Sequence, residues 1–126
     1  MVSDNVIRSA IPSAFKDIDL SALGSHRSGK VREIYDMGDK LALIATDRVS
    51  AFDVVLPRAI PFKGRTLSET AKFWFDKTKH IVQNQVISYP HPNVTIVKKA
   101  KPYPVEVIIR SYVTGHLWRE YAKGKR

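Results

Sequence analysis

Apolar and polar positions change rhythm along the chain. From Ile7 to Leu23 short apolar groups are interrupted by Pro12 and end at Gly24, a pattern of short helical turns. Beyond Ser28, Val31, Ile34 and Tyr35 lead into the polar turn Asp36-Met37-Gly38-Asp39, and Leu41-Ala42-Leu43-Ile44-Ala45 follows. Two apolar runs about a short glycine turn predict a β-hairpin. A further short strand is expected at Phe52 to Leu56, stopped by Pro57, with a loop from Pro57 to Gly64. Thr66-Leu67-Ser68-Glu69 then has the form of a capping box. Leu67, Ala71, Trp74, Phe75, Thr78, Ile81 and Val82 recur at helical spacing, with Lys72, Asp76, Lys77 and Lys79 off that stripe. This predicts a helix from Thr66 to Val82 with Trp74 and Phe75 in the core. Strands are expected at Val86-Ile87, Val94 to Val97 and Val105 to Tyr112, and Leu117 to Tyr121 reads as the opening turns of another helix.

Hairpin, strand, helix and further strands in this order argue for an α+β fold, an antiparallel β-sheet of about five strands with one long helix on a face. Residues 1–24 form an N-terminal extension, 25–114 the domain, and 115–126 the start of a segment leading onward. The last helical pattern reaches Arg126 without a stop signal, so the natural protein is expected to continue. A chain of 126 residues suits one modest core. No apolar run has the length of a membrane span, so no membrane partner is expected. No secretory signal is visible, and the absence of cysteine excludes disulfides and thiolate chemistry. A cytoplasmic protein fits. The net charge of +9 favours anionic partners: nucleic acid, acidic lipid or phosphorylated small molecules.

Four segments carry candidate chemistry. In Gly29-Lys30-Val31-Arg32-Glu33-Ile34-Tyr35, strand alternation would place Lys30 and Arg32 on one face beside a glycine, either a phosphate clamp or an exposed basic pair. In Thr46-Asp47-Arg48-Val49-Ser50-Ala51-Phe52-Asp53, polar groups crowd a strand end. They suit a polar ligand, or a turn in which Asp47 and Asp53 cap backbone N–H groups. In Val105 to His116, Glu106 and Arg110 would share a face of an apolar strand, as a structural pair or with Arg110 gripping an anionic substrate. Lys63-Gly64 is a fainter phosphate hint. The histidines His26, His80, His91 and His116 lack metal-ligand spacing. A basic nucleic-acid-binding module is the alternative, but the strands are mostly aliphatic, without the aromatic–basic interleaving of a base-stacking sheet.

Taken in order, Gly29 to Tyr35, Ala45 to Asp53, Ile60 to Gly64, Phe73-Trp74-Phe75, and Pro104 to Arg110 with Tyr112, Thr114 and Gly115 resemble the SAICAR synthetase family. The resemblance runs from about Ser25 to the end of the chain. It implies an ATP-dependent ligase of purine biosynthesis, joining L-aspartate to carboxyaminoimidazole ribonucleotide with ATP and Mg2+, and giving SAICAR, ADP and phosphate. It implies a fold similar to the small ATP-binding lobe of protein kinases. Carried over by position, Lys30 and Arg32 hold ATP phosphates. Lys101 and Tyr103 belong to the connector beside adenine, and Arg110 binds the imidazole ribonucleotide. Asp47, Ser50 and Asp53 lie in a loop near the substrate. Where relatives carry serine, Gly115 is followed here by His116, which could donate to phosphate. The metal-binding carboxylates are expected downstream of these residues. The chain by itself is therefore expected to be catalytically silent, with an uncovered face that favours self-association into a homo-oligomer.

Overall fold

The computed structural model of the chain describes residues 3–105, 107–109 and 111–125. Helix α1 (Asp4–Ala10) and 3-10 turns at Ile11–Ser13 and Ser21–Leu23 open the chain, matching the broken N-terminal pattern. Strands β1 (Ser25–Ser28), β2 (Arg32–Asp36) and β3 (Lys40–Ala45) follow, then the small strands β4 (Ser50–Ala51) and β5 (Val54–Val55). Helix α2 (Lys63–Thr78), strands β6 (Val86–His91) and β7 (Val94–Lys98), and helix α3 (Gly115–Ala122) complete the order. The main sheet is five-stranded and antiparallel, in the order β1-β2-β3-β7-β6. The fold is α+β, as expected.

The membership of the sheet differs from expectation. Its edge is β1, whose Ser-His-Arg-Ser sequence is exposed throughout and shows no apolar alternation. Its register against β2, from Ser25↔Asp36 to Ser28↔Glu33, holds it in the sheet. The expected strand at Val105 to Tyr112 does not form among the described residues: Val105, Val107, Ile108 and Ile109 are 68%, 78%, 60% and 92% exposed. An apolar run becomes a strand only where a neighbouring edge accepts its backbone groups. Glu106 and Arg110, read as sharing a face, lie outside the described residues.

Register assigns the two faces of the sheet. Glu33, Tyr35, Ala42 and Ile44 lie on one, and Arg32, Ile34, Leu43 and Ala45 on the other. The first face is the core: Tyr35, Ala42 and Ile44 are buried beneath Phe15, Ile18 and Leu20 of the N-terminal segment, with Val94 and Ile96 of β7 beside them. The Tyr35 hydroxyl donates to the Ile18 carbonyl at 2.7 Å and accepts from the Leu20 N–H at 3.1 Å. The N-terminal segment is thereby tied to the sheet by hydrogen bonds as well as apolar contact.

Helix α2 lies over the second face. It begins at Lys63, ahead of the capping box, and the Thr66 hydroxyl instead donates to the Phe62 carbonyl at 2.9 Å. Asp47, at the end of β3, supplies the acceptor. Its carboxylate receives the N–H groups of Phe62 at 3.2 Å and Gly64 at 2.9 Å, and also that of Phe15 at 2.9 Å. A carboxylate at the first turn is a stronger acceptor than a hydroxyl and complements the helix dipole. Gly64 allows the close approach: a Cβ there would stand 2.3 Å from the Ala45 carbonyl oxygen. The helix ends at Thr78, short of Val82, and Ile81 and Val82 are exposed. Leu67, Ala71 and Phe75 face the sheet across a cavity, whereas Trp74, expected in the core, is 60% exposed.

The single strand expected at Phe52 to Leu56 is instead the tight hairpin of β4 and β5. Its turn residues, Phe52 and Asp53, have φ of 50° and 65°. A two-residue hairpin turn of this hand requires positive φ at both positions, which Asp tolerates and a bulky aromatic resists. Phe52 is fully exposed and has no packing to lose. Phe52→Asn is expected to stabilise the chain by up to about 1 kcal/mol. Urea unfolding checks this, and a lowered midpoint would mean that Phe52 packs against something in solution.

Candidate functional site

The connection from β1 to β2 is a tight reversal in which the Gly29 N–H donates to the Arg32 carbonyl at 2.8 Å. Lys30 and Val31 therefore form the tip of a hairpin, and β2 starts only at Arg32. This corrects the expectation that Lys30 and Arg32 alternate along one strand. Alternation governs only residues inside a ladder, and the chain has already turned at Lys30.

The tip meets the second hairpin. Lys30 Nζ lies 2.6 Å from Asp53 Oδ1, with both side chains largely exposed, so the fold joins two candidates 23 positions apart. Arg32 opens onto the cavity of about 210 Å³ between α2 and the second face of the sheet. Leu43, Ala45, Val97 and Phe75 give this cavity apolar walls, and Arg32 and Lys63 supply cations. Such a site suits a flat apolar group joined to an anion.

Behind the tip stands a buried ionic cluster. Glu33 is 3% exposed and contacts His26 Nε2 at 2.6 Å, Ser28 Oγ at 3.0 Å and the Arg48 guanidinium. Burial pushes the Glu33 carboxyl up, but the hydrogen bonds from His26 and Ser28 and the charge of Arg48 outweigh it and hold the carboxyl below its ordinary value. Arg48 also donates to Thr46 Oγ1 at 3.2 Å, the Gly29 carbonyl at 3.1 Å and the Arg32 carbonyl at 3.4 Å.

The other candidates are more scattered. Asp47 is 4% exposed, with both carboxylate oxygens occupied by backbone N–H groups. Ser50 is exposed on β4, and His116 is exposed in the first turn of α3. Lys101 and Tyr103 are exposed in the segment after β7 and do not line the cavity under α2. Arg110 lies outside the described residues. Glu33 and Arg48 were not singled out as site residues, and Lys63 carried only the fainter phosphate hint of Lys63-Gly64. A glutamate inside an apolar strand was the available signal for the first two, because a buried carboxylate requires a cation.

Among the described residues, no three His, Asp or Glu side chains converge as metal ligands would. Glu33 and Asp47 are satisfied by protein donors, so neither is available to hold Mg2+. No helix among them is long and apolar enough to cross a membrane.

Comparisons with known proteins converge. A family model described as SAICAR synthetase matches residues 25–126. The chain is 48% identical over 133 residues to the chloroplastic phosphoribosylaminoimidazole-succinocarboxamide synthase of Vigna aconitifolia, covering 99% of this chain and 39% of that protein. It is 52% identical over 98 residues to the synthase of the same name from Cytophaga hutchinsonii, covering 78% of this chain and 32% of the relative. The chain thus spans less than half the length of these relatives. Among solved structures, it is similar to the SAICAR synthase of Saccharomyces cerevisiae complexed with SAICAR. The TM-score is 0.79 at 31% identity, over 87% of this chain and 45% of the other. A Type-2 SAICAR synthetase in complex with ADP matches with a TM-score of 0.67 at 27% identity, over 76% of this chain and 42% of the other. The matched region contains the Lys30 tip, the Asp53 turn and the cavity under α2, and on this sequence and structural agreement the chain belongs to the SAICAR synthetase family.

Proposed function

We propose that this chain supplies the ATP-phosphate clamp of a ligase that joins L-aspartate to carboxyaminoimidazole ribonucleotide. The observation that carries the reading is an apolar-walled cavity with Arg32 and Lys63 as its cations, adjoined by the hairpin tip that bears Lys30. The ADP and SAICAR named with the two solved relatives support the same reading. In the reaction, the γ-phosphoryl group of ATP passes to the substrate carboxylate. The aspartate amine attacks the acyl phosphate, phosphate leaves, and an amide bond forms. Cations fixed beside the phosphates lower the cost of the charge that develops. Mg2+ would neutralise part of that charge when bound, and none of the described residues is assigned to hold it.

Lys30 and Arg32 take the phosphates, with Lys63 as an addition. Lys30 exchanges its exposed partner Asp53 for a polyanion, a favourable swap at so solvated a pair. Lys101 and Tyr103 are assigned to the adenine side, and Arg110 and His116 to the ribonucleotide. Ser50 and Asp53 are assigned to the rim. The geometry of Asp47 favours shaping the site, through the start of α2, over touching the substrate. Small substrates are favoured over nucleic acid, because Tyr35, the aromatic of β2, is buried and its hydroxyl is hydrogen-bonded. The absence of cysteine suits a cytoplasmic setting, while the Vigna relative is named as chloroplastic.

Lys30→Ala in the full-length enzyme tests the reading. Loss of a charge-assisted contact is expected to cost about 1.5–3 kcal/mol, about ten- to a hundredfold in kcat/KM for ATP, with unchanged thermal stability. Unchanged ATP kinetics in a folded variant would refute it.

A further inference from the structure

The backbone of the Lys30 tip is held by a side chain from another part of the chain. Arg48 Nη2 donates to the carbonyls of Gly29 and Arg32, the two residues that flank the turn. Arg48 Nη1 lies 3.5 Å from the Ser28 hydroxyl. The neighbouring Thr46 hydroxyl donates to the Val31 carbonyl at 2.9 Å, and the Thr46 N–H donates to the same carbonyl at 3.2 Å. Carbonyls at Gly29, Val31 and Arg32 are thus all engaged from the Arg48 and Thr46 side. In a trans peptide the N–H points opposite to its carbonyl, so fixing these oxygens fixes the orientation of the peptide planes around Lys30.

Arg48 is itself held. Its side chain is 16% exposed, it pairs with the buried Glu33, and its Nε donates to Thr46. Glu33 lies on the strand that leaves the tip, and its other partners, His26 and Ser28, lie on the strand that enters it. One guanidinium therefore joins both strands of the hairpin to the end of β3. The planar fork suits this task, because it presents several N–H groups in a fixed geometry that an ammonium group cannot reproduce.

We propose that Arg48, braced by Glu33, is a positioning residue that sets the β1–β2 tip so that Lys30 meets the ATP phosphates. This rests on the reading of Lys30 as a phosphate ligand. Arg48 touches neither substrate nor reacting atoms. It acts through Lys30, by making the conformation that presents the lysine the resting one, so that binding does not have to order the loop.

Arg48→Lys separates this role from simple structural support, because it keeps the charge opposite Glu33 and removes the fork to the two carbonyls. The test compares Arg48→Lys, Lys30→Ala and the double variant in the full-length enzyme, measuring thermal stability, KM for ATP and kcat. Arg48→Lys is expected to raise KM for ATP by about tenfold, the equivalent of one or two modest hydrogen bonds, with a thermal midpoint close to that of the parent. KM for aspartate should not change. If Arg48 acts through Lys30, the double variant should resemble Lys30→Ala alone, since the two effects share one contact. An unchanged KM for ATP in Arg48→Lys, or multiplying effects in the double variant, would overturn the positioning role while leaving Lys30 as phosphate ligand intact. If Lys30→Ala itself leaves ATP use unchanged, the phosphate reading falls and the positioning role falls with it. Arg48→Ala, expected to lose both stability and ATP affinity, serves as the comparison in which the brace is removed entirely.

Discussion

Replacing Asp47 by Ala is expected to remove about 3–5 kcal/mol of folding free energy, a large share of what a domain of this size possesses. The Asp47 side chain is almost completely buried and accepts from the N–H groups of Phe15, Phe62 and Gly64. These donors belong to the N-terminal segment, the loop before α2 and the first turn of α2, so one carboxylate fastens three parts of the chain to the end of β3. Removing it leaves three N–H groups without their acceptor in a crowded place, and each unmet buried donor costs about 1–3 kcal/mol before water or relaxation recovers some of it. Asp47→Asn should cost roughly half as much, because one oxygen remains and the amide nitrogen cannot accept. Urea unfolding of the parent and both variants checks the order. A loss below about 1 kcal/mol for the alanine variant would mean that these bonds are not held together in solution. The same variant should weaken ATP use, since Lys63 sits on the turn that Asp47 caps.

Glu33→Ala is expected to cost about 3–5 kcal/mol, because it leaves the mostly buried Arg48 with only the exposed and more distant Asp17, at 3.7 Å, as counter-charge. Glu33→Gln should cost less, since it keeps an acceptor for Ser28 and the volume of the side chain. The pH dependence separates charge from packing. The Glu33 carboxyl is raised by burial but held, on balance, below its ordinary value by His26, Ser28 and Arg48. Its ionised form therefore favours the folded chain. That contribution is complete above the ordinary glutamate value of about 4.3 and is lost as pH falls through the lower folded value. In that window the unfolded chain takes up the proton first. The difference in stability between parent and Glu33→Gln should be level at neutral pH and shrink in acid below the ordinary value. A difference that stays constant into strong acid would mean that the charge of Glu33 contributes nothing. Asp19 and Asp36 are also lowered, the first by the Ser21 N–H and hydroxyl and the second by Lys99 and the Gly38 N–H, so the variant retains some acid sensitivity.

The sequence by itself determined the elements whose signal is local. The hairpin of β2 and β3 was legible because two apolar runs flank a glycine turn, and β6 and β7 because short apolar groups sit between turn residues. The direction of the α2 stripe was legible too, since Leu67, Ala71 and Phe75 do face the sheet. The family was legible because ordered motifs accumulate specificity that no single one has. Tertiary structure alone decided the rest, for three physical reasons. The start of α2 was misplaced because its cap, Asp47, lies well upstream, and a buried carboxylate outcompetes the local threonine. The edge strand β1 was invisible because backbone pairing holds it, which no side-chain alternation records, while the apolar run at Val105 to Tyr112 has no strand among its described residues. The Lys30–Asp53 pair and the Arg48–Glu33 brace join residues 23 and 15 positions apart. Sequence supplied the charges, and only the packing of one hairpin against another determined which of them meet.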